Sequence, residues 1–281
     1  MQRVVTVLLG AAAVVGVGAT IMAIAAIFPN GLTAGSDLEA YIDAGTAIRA
    51  GQPIYTTGIA TGSFIYSPPW AVLFAPLSLF PGAVLQATIM ALDVLVLRYV
   101  LGSWRAVGWM GLYPLTWYAL ASGNVDILIA GAIVAAWKHT SVPLAVMTFA
   151  KVSPAFALDV RRIREFGVAC LILVAITIPW FDQWLEYARF LVGQPSSAGT
   201  VVPIPWFVRL PFALLLLLPR RPWTSALAAV VAIPLWFLYT SVILIAPLRL
   251  WLDERQRGAE AARGRLPAGA AAPTTPGRDI P

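Results

Sequence analysis

The sequence predicts an all-α polytopic membrane protein. Over 281 residues it is 59% hydrophobic and only 11% charged, with a mean hydropathy of +0.81. So few charges cannot clothe a water-facing surface, which excludes a soluble domain. The apolar residues are gathered into runs of near-span length separated by short loops, and the basic residues sit in those loops, as anchoring to anionic lipid requires. Backbone polar groups in lipid must be satisfied within the segment, so runs of this kind read as helices.

The first run, Val4 to Ile27, carries no charge over roughly 24 residues and reads as a retained signal anchor. Arg3 holds the N terminus in the cytoplasm, so the loop that follows lies outside. Pro69 to Phe80 is too short to cross and reads as a helix dipping into the outer face. Gly82 to Leu101 crosses inward, Trp104 to Ala121 returns to a Ser122-Gly123-Asn124 turn, and Val125 to Trp137 goes back in. A single crossing from Thr140 to Val160 would leave Arg161, Arg162 and Arg164 outside, against the positive-inside rule. Pro154 instead predicts a hairpin with Lys151, Val152 and Ser153 at its outer tip. Phe166 to Trp180 crosses outward to an external loop, Phe181 to Val202, and Pro203 to Leu218 returns. A second hairpin, with its tip near Pro234 to Tyr239, splits the run Thr224 to Leu250. This threading leaves only Arg49, Lys151, Arg189 and Arg209 of the 19 basic residues outside. The expected organisation is one transmembrane domain, residues 1–250, and a disordered cytoplasmic tail, 251–281, which from Gln256 onward is Ala, Gly, Pro, Arg and Thr without periodicity.

The lone cysteine, Cys170, lies in an apolar run, and the lone histidine, His139, follows Lys138 at a span end. Neither residue type can build a metal site here, and no metal or cofactor is expected. Nucleic acid is not an expected partner, because the net charge of +6 is dispersed over loops. Membrane lipid is.

The longest polar interval before the tail is Ser36 to Trp70, in the first external loop. Ser36 and Glu39 form a capping box, so a helix starts near Asp37 and ends at Gly51 and Pro53. Leu38, Tyr41, Ile42, Gly45 and Ile48 recur at helical spacing opposite Glu39, Asp43, Thr46 and Arg49, which predicts an amphipathic helix on the membrane surface. Asp37 falls in its first turn, where the helix dipole favours an ionised carboxylate, one turn from Tyr41. That is the position of an accessible base, or simply of a good helix start. Asp93 lies inside a span, where a charge is costly, and either serves a function or pairs with Arg98. Asn124 and Asp126 open a span on the external side, able to bind hydroxyls or cap the helix. Lys151 is either a snorkelling lysine or a charge for an anionic substrate. Trp180, Trp184 and Tyr187 read as an interfacial aromatic belt before a sugar platform.

An ordered set of short motifs runs over residues 1 to 250: Asp37-x-x-x-Tyr41, Gly51-Gln-Pro-Ile-Tyr55, Tyr66-Ser-Pro-Pro69 leading to Ala75-Pro-Leu-Ser-Leu-Phe-Pro81, Gly123-Asn124, Lys151-Val-Ser-Pro154 before Arg161-Arg162, and Pro234-Leu-Trp236. Together they resemble the GT-C superfamily of membrane glycosyltransferases, specifically glycosyltransferase family 87. The resemblance implies a bundle of about 8 to 10 transmembrane or half-membrane helices of span length or less. It also implies a bacterial plasma-membrane enzyme with cytoplasmic termini and an external active site. Such an enzyme moves mannose or arabinofuranose from a polyprenyl phosphate carrier to a glycolipid or cell-envelope glycan. Asp37 would then be the general base, Lys151 would face the carrier phosphate, and Tyr41, Tyr66, Asn124 and Asp126 would bind substrate. The chain departs from the family where many relatives place a histidine after the late Pro and Trp. It reads Phe237-Leu-Tyr239 there, which passes any carrier-binding role to Tyr239. A lipid-linked sugar transporter or flippase, and a structural subunit of an envelope-synthesis complex, stand as alternatives.

Overall fold

The computed structural model describes residues 36–55, 63–193, 204–234 and 237–263, and all of its regular structure there is helical. The expected signal anchor, Val4 to Ile27, lies outside the described residues. The first described helix, α1 (Ser36–Ala50), ends at Gly51, whose φ of +65° is a left-handed stop that glycine adopts without strain. Leu38, Tyr41, Ala44, Gly45 and Ile48 are buried along one face, while Glu39, Asp43, Thr46 and Arg49 are exposed. The expected stripe is therefore present, but protein rather than lipid covers it. α2 (Pro68–Leu77) lies against it so closely that a Cβ on Gly45 would come within 2.6 Å of the Phe74 backbone carbonyl.

α3 (Gly82–Leu101) has the predicted bounds and is, among the described residues, the one continuous helix long and apolar enough to cross a membrane. The next stretch corrects the expectation of a single crossing from Trp104 to Ala121. α4 (Trp104–Met110) and α5 (Pro114–Ser122) are separate helices, because Pro114 has no amide to continue the ladder and opens the second helix instead. Gly123, at φ +70°, turns the chain through 100° into α6 (Asp126–Lys138). α6 is the axis of the core: Ile127, Ile129, Ala130, Ile133, Val134 and Ala136 are all buried.

α7 (Val142–Ala150) returns toward the start of α6, and the chain breaks at Lys151. Two short 3-10 turns, Ser153–Ala157 and Val160–Arg162, lead into α8 (Ile163–Ile176). The Arg162 guanidinium donates to the His139 carbonyl, and the Ser141 hydroxyl donates to the Arg162 carbonyl at 3.3 Å. Lys151 thus sits at a tip, and Arg162 is back beside the end of α6. α8 buries none of its side chains and exposes Val168, Leu171, Ile172, Val174 and Ile176.

The stretch expected as the external loop Phe181 to Val202 instead begins with a helix, α9 (Phe181–Gly193), bent by 58° from the segment before it. Phe181, Trp184, Leu185 and Ala188 recur at three- and four-residue spacing, which sustains a helix despite the acids between them. α10 (Trp206–Leu217) and α11 (Pro222–Val231) follow, joined by a turn in which Arg220 takes a φ of +52°. A 3-10 stretch, Leu238–Leu244, precedes α12 (Ile245–Arg263). The boundary expected at residue 250 falls inside α12. Its helix-forming Glu, Arg and Ala residues and the pairs Arg249–Asp253, Lys138–Asp253 and Arg221–Glu254 keep 251–263 helical rather than disordered. The remainder of the expected tail lies outside the described residues. In total these segments hold twelve α-helices. One can cross a membrane alone, and up to three spans result if each bent pair counts as one, fewer than the 8 to 10 spanning or half-spanning helices the resemblance implies.

Candidate active site

The seven residues singled out in the sequence come from five separate segments, and most are joined by direct contacts. Asp37, in the first turn of α1, accepts a hydrogen bond from the Asn124 side-chain amide at 2.6 Å, across 87 residues of chain. The Asn124 carbonyl oxygen accepts from the Asp126 backbone amide at 2.8 Å, satisfying one of the free amides that open α6. Asp126 in turn is ion-paired with Lys151 from the tip after α7. Asn124 and Asp126 are buried, whereas Asp37 keeps partial exposure. Asp126 has one carboxylate oxygen without a partner among the described residues.

Tyrosines form the other wall. The Tyr41 hydroxyl donates to that of Tyr66 at 2.9 Å, and their rings meet edge to face with centroids 5.0 Å apart. Tyr66 carries the contact outward: its carbonyl accepts from the Tyr55 hydroxyl at 2.8 Å, and its ring is 6.3 Å from that of Trp70. Tyr41 and Tyr66 are both buried. Tyr239 stacks between Tyr118 and Phe237, at centroid separations of 4.9 and 5.4 Å, and feels the charges of Asp37 and Asp126. Tyr118 had no motif to announce it in the sequence. The hydrogen bond from the Ser67 hydroxyl to the Phe149 carbonyl, 2.6 Å, ties the Tyr66 loop to the end of α7 and so to Lys151.

Burial pushes the Asp37 carboxyl above its ordinary value, opposed by the Asn124 hydrogen bond and then by the Lys151 charge. The result is a carboxylate made more basic by its surroundings while still held by a donor. Burial also pushes the Tyr41 and Tyr66 hydroxyls well above the ordinary phenol value, so both are neutral donors and acceptors.

Other candidates lie elsewhere. Asp93 is wholly buried in α3, and neither of its oxygens has a partner among the described residues. The expected pair with Arg98 is not made, because Arg98 lies over the Trp104 ring, 5.9 Å from its centroid. Trp184 donates from its ring nitrogen to the Thr177 hydroxyl at 3.1 Å, and Tyr187 packs on Tyr55 at 5.6 Å. Trp180 is partly buried against the core. Arg209 spends its guanidinium on three backbone carbonyls, those of Ile204, Val231 and Pro234, and so pins the end of α11. Among the described residues no three His, Cys, Asp or Glu side chains converge on a point that could hold a metal ion.

Comparison of the chain with protein-family models, with curated proteins and with solved structures finds no match.

Proposed function

We propose that the chain is a membrane glycosyltransferase, which moves a sugar from a polyprenyl phosphate carrier to a glycolipid or cell-envelope glycan, with Asp37 as general base. The observation that carries this reading is the chain of contacts from Asp37 through Asn124 and Asp126 to Lys151. It sets a half-exposed carboxylate of raised basicity and a positive charge on one scaffold, as transfer from a lipid phosphate requires. The acceptor oxygen attacks the anomeric carbon as its proton passes to the Asp37 carboxylate. The bond from that carbon to the carrier oxygen breaks, and the carrier leaves with the electron pair as polyprenyl phosphate. Configuration at the carbon inverts. Asp126 holds Lys151 in place toward the departing phosphate, and Tyr66 and Tyr239 offer their hydroxyls to the sugar, with Tyr41 supporting Tyr66. Mannose and arabinofuranose are the donors the motif resemblance favours. The apolar exterior of α3 and α8 supports a bacterial plasma-membrane location, with both termini in the cytoplasm and the Asp37 end outside.

The test is a transfer assay with purified protein, radiolabelled polyprenyl-phosphate mannose or arabinose and envelope lipid extract. Asp37→Asn keeps the shape and can still cap the helix but accepts no proton, so transfer is expected to fall by about 10² or more while donor binding persists. Wild-type transfer by this variant overturns the base assignment. Absence of any labelled product from the wild-type protein, with label instead crossing the bilayer, replaces the enzyme with a transporter.

A further inference from the structure

Two cavities of about 750 Å³ each open at the far end of α6 from Asp126, and they share Trp137, Asp159, Arg161 and Arg220 as a common wall. Their other walls differ in kind. One is charged, with Lys138, Arg221, Asp253 and Glu254, and the other is apolar, with Phe156, Leu158 and Leu217. The charges of the first wall are largely spoken for. Asp253 takes both Lys138, at 2.6 Å, and Arg249, at 3.0 Å, while Glu254 takes Arg221 at 3.7 Å. Asp159 uses its carboxylate on the Arg161 backbone amide, 3.0 Å away.

Among the bases Arg161 and Arg220 are left over, while Asp159 and the exposed Glu260 are the acids of this wall without an ion pair among the described residues. Both arginines are exposed, and neither guanidinium makes an ion pair or hydrogen bond among the described residues. Arg220 is held at the mouth by a left-handed backbone, unfavourable for a residue with a Cβ. Trp137, which faces both cavities, has a buried ring N–H with no acceptor among the described residues. Two free guanidiniums above an apolar wall match a molecule with an anionic head and a hydrocarbon chain.

We propose that this cleft binds an anionic phospholipid from the leaflet at this end of the molecule. Arg161 and Arg220 hold its phosphate, and an acyl chain lies along Phe156, Leu158 and Leu217. The site is separate from the Asp37 cluster and rests on the membrane location, not on glycosyl transfer.

The test is native mass spectrometry of the full chain in an uncharged detergent, titrated with dioleoylphosphatidylglycerol, dioleoylphosphatidylcholine or inorganic phosphate. Phosphatidylglycerol is expected to give one saturable adduct, and Arg161→Gln with Arg220→Gln to weaken it about tenfold or more. The corresponding double lysine variant keeps most of the affinity. Arg255→Gln removes one positive charge from outside the cleft, where Arg255 lies 4.5 Å over the Trp251 ring, and leaves the adduct unchanged. Circular dichroism confirms that each variant is folded. Equal binding of phosphatidylcholine, or wild-type binding by the folded double glutamine variant, overturns the site. Full displacement by inorganic phosphate at comparable affinity makes it a soluble-anion site and overturns the lipid. Release of the chain from membranes by alkaline carbonate would remove the membrane location itself, a result distinct from all of these.

Discussion

Two acidic residues bridged by Asn124 have been given opposite surroundings. Asp126 is fully buried and committed to Lys151, whereas Asp37 keeps contact with solvent and accepts from the Asn124 amide. That division suits one group for holding a charge in place and the other for taking a proton, as in sites where environment separates two acids. It also gives Asn124 a role distinct from Asp37. An amide donated to a carboxylate favours the ionised form, so its loss raises the carboxyl's affinity for protons. Protonated Asp37 cannot act as a base, and transfer falls as pH drops through its pKa. Asn124→Ala is therefore expected to shift the acid limb of the profile of kcat/KM against pH toward higher pH, leaving the plateau less affected. An acid limb that stays put would mean that Asn124 only caps α6.

At the scale of the element, α1 and α2 are fitted backbone to side-chain stripe. A Cβ on Gly45 meets the Phe74 carbonyl carbon and oxygen at 2.6 Å, and backbone there cannot yield as a flexible side chain would. Gly45→Ala should destabilise the protein by about 1–3 kcal/mol. Gly108→Ala, in α4 with nothing within 4 Å of its Cβ, should be neutral or stabilise by about 0.4–1 kcal/mol. Thermal unfolding of both variants in the same detergent measures the contrast, and equal shifts would refute the close packing of α1 on α2. α1 was legible because capping, periodicity and a glycine stop agree, and α3 because nothing interrupts it. The split at Pro114 was missed by weighing apolar run length above proline. α9 was missed because its acids looked like loop. The acceptance of the α1 stripe by α2 rather than lipid was beyond local reading, since amphipathicity names a buried face but not what buries it. The same limit applies to the site. Asp37, Asn124, Asp126 and Lys151 could each be picked out by type and position, but the Asp37–Asn124 and Asp126–Lys151 bonds span 87 and 25 residues, and nothing local encodes them. Tyr118 had no signal at all.

Across the whole molecule, the helices join two unlike ends. α6 carries thirteen residues from Asp126 to Lys138, which at helical rise separates them by about 18 Å. Asp37, Asn124, Lys151 and Tyr239 gather at the first end. Lys138, Arg162, Arg221 and Arg249 gather at the second, tied by Arg162 to the His139 carbonyl and by Lys138 and Arg249 to Asp253. Lys151 lies at the Asp37 end and Arg162 at the other, and in the same way Tyr239 lies at the Asp37 end and Arg249 at the other. In the proposed membrane location, the positive-inside rule predicts that the end rich in lysine and arginine stays in the cytoplasm. A topology reporter fused after Arg164 should therefore report cytoplasm, as should one at the C terminus, while one inserted between residues 56 and 62 reports the exterior. The position after Arg164 is the discriminating one. If 140–160 crossed once, without turning at Lys151, the reporter there would lie outside together with Arg162, and Lys151 would lie mid-span. An external signal at Arg164 would thus break the polarity on which both the external site and the lipid cleft depend. A cytoplasmic signal there, with an external one in the first loop, places Asp37 and Lys151 on the same face, opposite Arg161 and Arg220.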